Sequence, residues 1–454
     1  MSAHCDVAVI GAGPAGCAAA IALRCAGVDH VVLIDAGDGR RPHYGESLQP
    51  ATGLLLHALG IADAFAALDA CRCVGSASSW GADTLGYNDF LFDPHGSGWQ
   101  VDRQHFDAFL LQQARVGGAR VRLQARLESA ADVGTDGLRL QLRSDAAAVH
   151  TLHARFVVDA SGQRARLAQA MGAERVTGDR LVCLAALLPL DAESPFGQRL
   201  LLEAVDYEWW YAARLTPGEA IIVLATDASI LREQRLQQLA RWTSRLAQTR
   251  HIAASVCVER KTPQRLLARQ ARSSRLSRCG GSRCLTIGDA ACSYDPLSAQ
   301  GVHKALADAV AAAPRICAVL DRHEDALVIE QAQQLLTRFD GYQRIRDHFY
   351  RQETRWLDAP FWRRRHAAQA TALTHPEQFP KGTHRMNAAP WPIVDRPNTH
   401  GMFMLGTTTV YLSHMPMFGK QDHHYQLTLQ IGLDADATQA YLADKANHRI
   451  RSTT

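Results

Sequence analysis

The stretch DVAVIGAGPAGCAAAIALRCAGVDHVVLIDAG, residues 6 to 37, constrains this chain more than any other. Val7 to Ile10 is a short β-branched run followed by Gly11, Gly13 and Gly16. Cys17 to Cys25 is an alanine-rich helical pattern closed by Gly27, and a second apolar run, Val31 to Ile34, ends in Asp35. That order predicts strand, glycine turn, helix and second strand, the opening unit of a Rossmann-like parallel sheet. Gly11 permits the tight turn, Gly13 lets a phosphate approach the backbone, and Gly16 lets helix and strand pack closely. Together with Ala12, Pro14 and Ala15 they would set a helix N-terminus against a pyrophosphate, whose charge meets unpaired N–H groups and the positive end of the helix dipole. Asp35 lies about twenty residues beyond the glycines, where a carboxylate accepts hydrogen bonds from ribose hydroxyls and disfavours a 2′-phosphate. The pattern predicts a bound dinucleotide and leaves NAD and FAD open.

At 454 residues and 47% hydrophobic composition, the chain has material for two or three domains with buried cores. A net charge of +4, spread over both signs, lacks the concentrated basic face that nucleic acid requires. The strand pattern starts by residue 6, leaving no room for a signal peptide, and no apolar run reaches the ~18 residues of a membrane span. A cytoplasmic protein without membrane contact is expected. Eleven cysteines without repeated CxxC pairs read as reduced, mostly buried thiols, and no metal site is expected.

Four later stretches choose between the nucleotides. RPHYGESLQPATGLLLHALGI places Gly45, Glu46 and Ser47 just before a helical pattern, and WQVDRQHFDAFLLQQA places Arg103 at the start of another. RFVVDASGQRARLAQAMG ends a strand at Asp159, and CLTIGDAACSYDPLSAQGVHKAL ends one at Gly288 and Asp289 before an irregular loop and a new helix. In this order, behind the N-terminal glycines, they resemble the FAD-dependent monooxygenase and flavin-dependent tryptophan-halogenase superfamily, whose FAD domain is like that of para-hydroxybenzoate hydroxylase. The resemblance covers roughly residues 5 to 366. It implies FAD as cofactor, Asp289 on its ribitol, Arg103 beside its nucleotide portion, and the loop from Pro296 to Gly301 against its isoalloxazine ring. Gly301 would let the backbone approach the flavin, and the helix from Val302 would aim its positive end at the ring edge that carries charge when reduced.

SSWGADTLGYNDFLFDPHGSGWQVDR, ARSSRLSRCGG and YRQETRWLDAPFWRRRH are similar to the tryptophan-halogenase-like subgroup, which includes maturases that oxygenate a tryptophan of a partner protein to build a tryptophylquinone. Halogenases of this kind use a lysine between the GE motif and the VDR helix, and no lysine precedes Lys261 here. Ser298 stands where halogenases of free tryptophan carry a glutamate. The resemblance therefore implies a monooxygenase acting through a flavin C4a-peroxide on an aromatic substrate, either small or borne on a partner protein or carrier. The alternatives are a halogenase with another residue in the lysine's role and a non-catalytic FAD-binding interaction protein. Reducing equivalents would come from NAD(P)H or from a separate flavin reductase.

The resemblance points to Glu46, Ser298 and His303 as catalytic candidates. Glu46 either positions flavin or substrate or caps the following helix. His303 either donates a proton to a departing peroxide or points away, and Lys304 reads as a solvent-facing helix residue. Lys261, Arg265, Arg269, Arg272, Arg275, Arg278 and Arg283 follow one another without an acid between them, either as a solvated face or as a landing strip for an acidic partner. The expected fold is α/β: an FAD-binding domain of residues 1–75, 98–175 and 275–325, and an antiparallel-sheet substrate domain of residues 76–97 and 176–274. C-terminal helices over 326–366, a linker over 367–400 and a β-rich tail over 401–454 complete it. Trp209, Trp210 and Tyr211 are either sheet core or pocket lining, and Pro314 should kink or restart its helix. In the tail, His414, His423, His424, Met415 and Met417 match no common ligand spacing.

Overall fold

Val7–Ile10 and Val31–Ile34 are buried on both faces, as parallel strands covered by helices must be. The computed structural model describes residues 3–39, 45–134, 137–144, 148–191, 194–256 and 263–367, and the backbone of three short strands beyond residue 400. Strand Ala3–Ile10 lies between Val31–Ile34 and Val149–Asp159, and the parallel series continues to Arg120–Arg122 on one side and Cys284–Thr286 on the other. The register sets Ile10 beside Ile34 and Asp159, and Asp159 beside Thr286. Four strands therefore end at one level, where Gly11, Asp35, Ala160 and Gly288 emerge together. Helices Pro14–Cys25 and Gly301–Arg322 pack on one another over this sheet, their small residues permitting close approach. The second runs unbroken through Pro314, so the expected restart does not occur. Pro314 lies on the exposed side of the helix, while Ala312, Ala313 and Ile316 around it are buried.

The second sheet has seven strands, in the order Leu267–Gln270, Leu181–Pro189, Glu219–Asp227, Glu208–Thr216, Arg199–Val205, Gly75–Ser79 and Gly86–Asp89. Its period-2 alternation builds two separate cores. Leu184, Trp210, Ala212 and Leu224 meet Trp242, Leu246 and Ile252 on one face. Cys183, Trp209, Tyr211 and Val223 meet Tyr350, Phe361 and Trp362 on the other. Tyr350 ends the long helix Asp325–Gln352, and Phe361 and Trp362 belong to helix Pro360–Ala367, so these helices brace the sheet on the side facing the parallel domain.

All ten described cysteines are free. Residues 368–400 of the expected linker lie outside the described residues, as do His414, His423, His424, Met415 and Met417. In the tail, Gly401–Leu405, Thr408–Leu412 and Leu427–Thr428 form a three-stranded antiparallel sheet. Among the described residues no helix is long and apolar enough to cross a membrane.

Candidate functional site

A cleft of about 610 Å³ opens at the carboxyl ends of the parallel strands. It gathers residues distant in sequence: Gly11 to Ala15, Asp35, Gly45 to Ser47, Arg103, Asp289, Pro296 and Ala299 to Val302. The glycines divide into two kinds. A Cβ on Gly11, whose φ is +107°, would stand 2.3 Å from the Ala160 carbonyl oxygen, and one on Gly16 would stand 1.7 Å from that of Gly11. These two hold the turn against its neighbours. A Cβ on Gly13 or Gly301 meets nothing within 4 Å, so both leave open backbone in or at the rim of the cleft.

Asp35 is tied into the turn, its two carboxylate oxygens accepting the Ala12 N–H at 2.9 Å and the Gly37 N–H at 2.6 Å. Arg103 starts helix Arg103–Val116, pairs with Asp107 at 3.0 Å and donates to the Gly45 carbonyl at 3.2 Å, which clamps the Gly45–Ser47 segment. Glu46 is buried and accepts the Gly45 N–H at 2.6 Å. Burial pushes its carboxyl up from the ordinary value, against the hydrogen bonds around it, the Tyr211 hydroxyl and the Arg103 charge. Glu46 Oε1 and Gln300 Nε2 are buried atoms without a hydrogen-bond partner on residues lining the cleft. Polar atoms left so by the protein suit a polar ligand. Open backbone at two glycines, a carboxylate lining the cleft beyond the second strand and two unused polar atoms fit a dinucleotide such as FAD.

Not every candidate reaches the cleft. The Ser298 hydroxyl donates to the Asp295 carbonyl at 3.0 Å, and the residue lines a smaller adjoining chamber instead. His303 lies against helix Thr52–Ala58, its Nδ1 3.2 Å from Thr52 Oγ1, and lines neither space. Burial, reinforced by the Arg338 charge, lowers its imidazole to about 4, so it is neutral near pH 7. Lys304, expected in solvent, is 4% exposed and sits 3.4 Å from Asp289 Oδ1 and 5.2 Å from the Tyr294 ring centre. The azimuth of that helix, fixed by packing on Pro14–Cys25, decided both cases. Of the three aromatics in the second sheet, Trp209 and Tyr211 line the cleft, and Trp210 packs against Trp242 with the rings tilted at 58° and their centres 5.2 Å apart. Arg269 also lines the cleft, whereas Arg275 pairs with Asp340 at 3.8 Å and Arg278 donates to the Met171 carbonyl.

The sequence reading missed what supports the loop over Pro296. Asp295 accepts the Leu297 N–H at 3.0 Å and the Tyr350 hydroxyl at 2.8 Å, and Tyr350 in turn accepts Trp209 Nε1 at 3.0 Å. Burial and the Asp179 charge push the Asp295 carboxyl up to about 6. A carboxyl that holds its proton more tightly when folded stabilises the fold below its unfolded value near 4, and that contribution is lost as pH rises through about 6. Asp295→Asn, which keeps an acceptor for Leu297, should remove this dependence. Subtracting the variant's urea stability from that of the native chain between pH 4 and pH 7 should give a falling curve, and a flat one would refute the assignment.

The smaller chamber, about 200 Å³, shares Ser47, Leu200, Leu202 and Ala299 with the cleft. Trp80, Phe90, Leu297 and Phe349 wall it, with Ser76, Ser78, Asn88 and Gln100 as polar neighbours, and no charged side chain lines it.

Residues 4–335 match the model of the FAD binding domain family, and residues 395–454 match that of the Cuben fold calcium-binding domain. LodB of Marinomonas mediterranea, named as an FAD-dependent oxidoreductase, is 30% identical over 369 residues, covering 80% of this chain and 98% of LodB. The peptidyl tryptophan dihydroxylase QhpG, essential for tryptophylquinone cofactor biogenesis, superposes with a TM-score of 0.62 at 26% identity, over 80% of this chain and 79% of QhpG. The myxobacterial chondrochloren halogenase CndH shares the fold with a TM-score of 0.73 at 24% identity, over 82% of this chain and 90% of CndH. The cofactor these matches bring is the one the cleft fits, and the chain belongs to the FAD binding domain family, within the FAD-dependent monooxygenase and halogenase superfamily of oxidoreductases.

Proposed function

We propose that this chain is an FAD-dependent monooxygenase that oxidises an uncharged aromatic ring borne on a protein or carrier. The observation that carries the reading is the small chamber beside the cofactor cleft, walled by aromatic and aliphatic side chains without a charge. FAD, when bound, supplies the oxygen chemistry. Gly13 and Gly301 would let it approach the backbone, Asp35 and Asp289 would hold its sugar hydroxyls, and Arg103 would keep the Gly45–Ser47 wall in place. Trp80, Phe90 and Phe349 would orient the substrate ring and keep water from it. Ser298 and Gln49, joined at 3.4 Å, would fix the loop between ring and cofactor.

Lys304 is the only lysine among the described residues, and it lines neither space. That supports oxygenation over the hypohalous-acid chemistry of a halogenase. QhpG, named for a peptidyl tryptophan, supports a ring presented on a polypeptide, and LodB, named for its class, supports the FAD-dependent oxidoreductase. The tail's match supports calcium binding outside the catalytic unit.

The test mixes the full chain with chemically reduced FAD, oxygen, chloride and bromide, and either N-acetyltryptophanamide or a tryptophan-containing peptide. A product carrying added oxygen is expected. A halogenated product would replace the proposal with the halogenase, and hydrogen peroxide alone with either compound would leave a flavin-binding scaffold.

A further inference from the structure

The seven-stranded sheet ends in strand Gly86–Asp89, which has no neighbour on its outer side among the described residues. Its inner side pairs antiparallel with Gly75–Ser79, Asn88 beside Ser76 and Tyr87 beside Ala77. The Phe90 N–H donates to the Val74 carbonyl at 2.9 Å. Bonded pairs alternate along such a ladder, so Asn88 and Gly86 turn their backbone groups inward, and Tyr87 and Asp89 turn theirs outward. The strand is only four residues long, and it contains neither the lysine nor the proline that often guards an open edge. Its one charge, Asp89, is neutralised by Arg199 at 2.6 Å and 2.9 Å. Tyr87 is 55% exposed, and Leu91, just beyond the strand, is 76% exposed.

This edge is also a wall of the chamber, because Asn88 and Phe90 line it. Side chains alternate across a sheet, so in any strand laid along Gly86–Asp89 the residue beside Asn88 would point the same way, towards the chamber. A cavity of about 150 Å³ admits a benzene ring. The chamber therefore has room for one aromatic side chain and little more, which leaves the polypeptide that carries it outside, along the edge.

We propose that the substrate is an extended polypeptide segment that adds to the outer edge of Gly86–Asp89 as an eighth strand and lowers one aromatic side chain into the chamber. Main-chain bonds to Tyr87 and Asp89 supply affinity and the chamber supplies selectivity, the division of labour of strand addition. The proposal rests on the oxygenase reading for its chemistry but makes a claim about binding that stands apart from it.

The probe is an acetylated, amidated heptapeptide of alternating threonine and valine with tryptophan at its centre, compared with N-acetyltryptophanamide for binding to the FAD-loaded full chain. The peptide should bind about tenfold more tightly, since two or more strand bonds of ordinary worth amount to that. N-methylation of amides of one parity should abolish the advantage, and methylation of the other parity should leave it. Tyr87→Pro removes an outward N–H that the inner neighbour does not use, and should erase the advantage with an unchanged flavin spectrum and melting temperature. Tyr87→Ala, which keeps that N–H, should preserve it. Equal binding of peptide and N-acetyltryptophanamide, indifference to methylation parity, or an unaltered Tyr87→Pro would overturn strand addition. If N-acetyltryptophanamide is oxidised as well as the peptide, the oxygenase stands and strand addition falls. If the peptide binds with parity dependence and no ring is oxidised, the reverse holds.

Discussion

Gly13→Val should leave the fold intact and lower FAD affinity by about a hundredfold, a loss of about 2.7 kcal/mol of binding free energy. Gly13 has φ −80° and ψ −175°, extended backbone that any residue adopts, and a Cβ there touches nothing within 4 Å. The new side chain would fill space on the cleft side of the first turn, where the pyrophosphate must approach the helix N-terminus. Titration of the apoprotein with FAD, followed by flavin fluorescence, reads the affinity, and the apoprotein melting temperature reads the fold. Gly16→Ala gives the opposite signature, because its Cβ would lie 1.7 Å from the Gly11 carbonyl oxygen and the turn itself must move. Native affinity in Gly13→Val would mean that the nucleotide does not pass this turn.

Asp308→Ala should cost about 3–5 kcal/mol of folding stability, the range for removing one partner of a buried ion pair. Asp308 is 2% exposed, accepts the Gly288 N–H at 2.9 Å and pairs with Arg338 of the neighbouring helix. It joins the Gly288–Asp289 turn to both long helices, so FAD affinity should fall with stability. Urea unfolding of the apoprotein measures the first effect. The double variant Asp308→Leu with Arg338→Met should recover part of the loss, since it leaves no uncompensated charge, although the Gly288 N–H stays unpaired. No recovery would show that the ion pair is not the source of the cost.

The glycine turn and Asp35 were legible as local devices, a strand end and a helix start, whereas the GE segment, Arg103 and Asp289 were pointed to by the resemblance; all of them line the same cleft. The second sheet was legible from its alternating apolar runs. The small chamber was not. Trp80, Phe90, Leu297 and Phe349 come from four separate parts of the chain, and no spacing within any of them signals that they share a wall. The Asp295–Tyr350–Trp209 chain of hydrogen bonds likewise joins a loop, a helix and a strand.

Sequence alone determined the dinucleotide crevice, because strand length, glycine positions and the following carboxylate depend on backbone sterics within a few residues. Tertiary packing decided which side of each element faces that crevice. His303 and Lys304 are adjacent on one helix, and only its seating against Pro14–Cys25 and Thr52–Ala58 turned the histidine to Thr52 and the lysine to Asp289. A repeat of 3.6 residues states that a helix has faces, and the neighbours it buries them against state which is which.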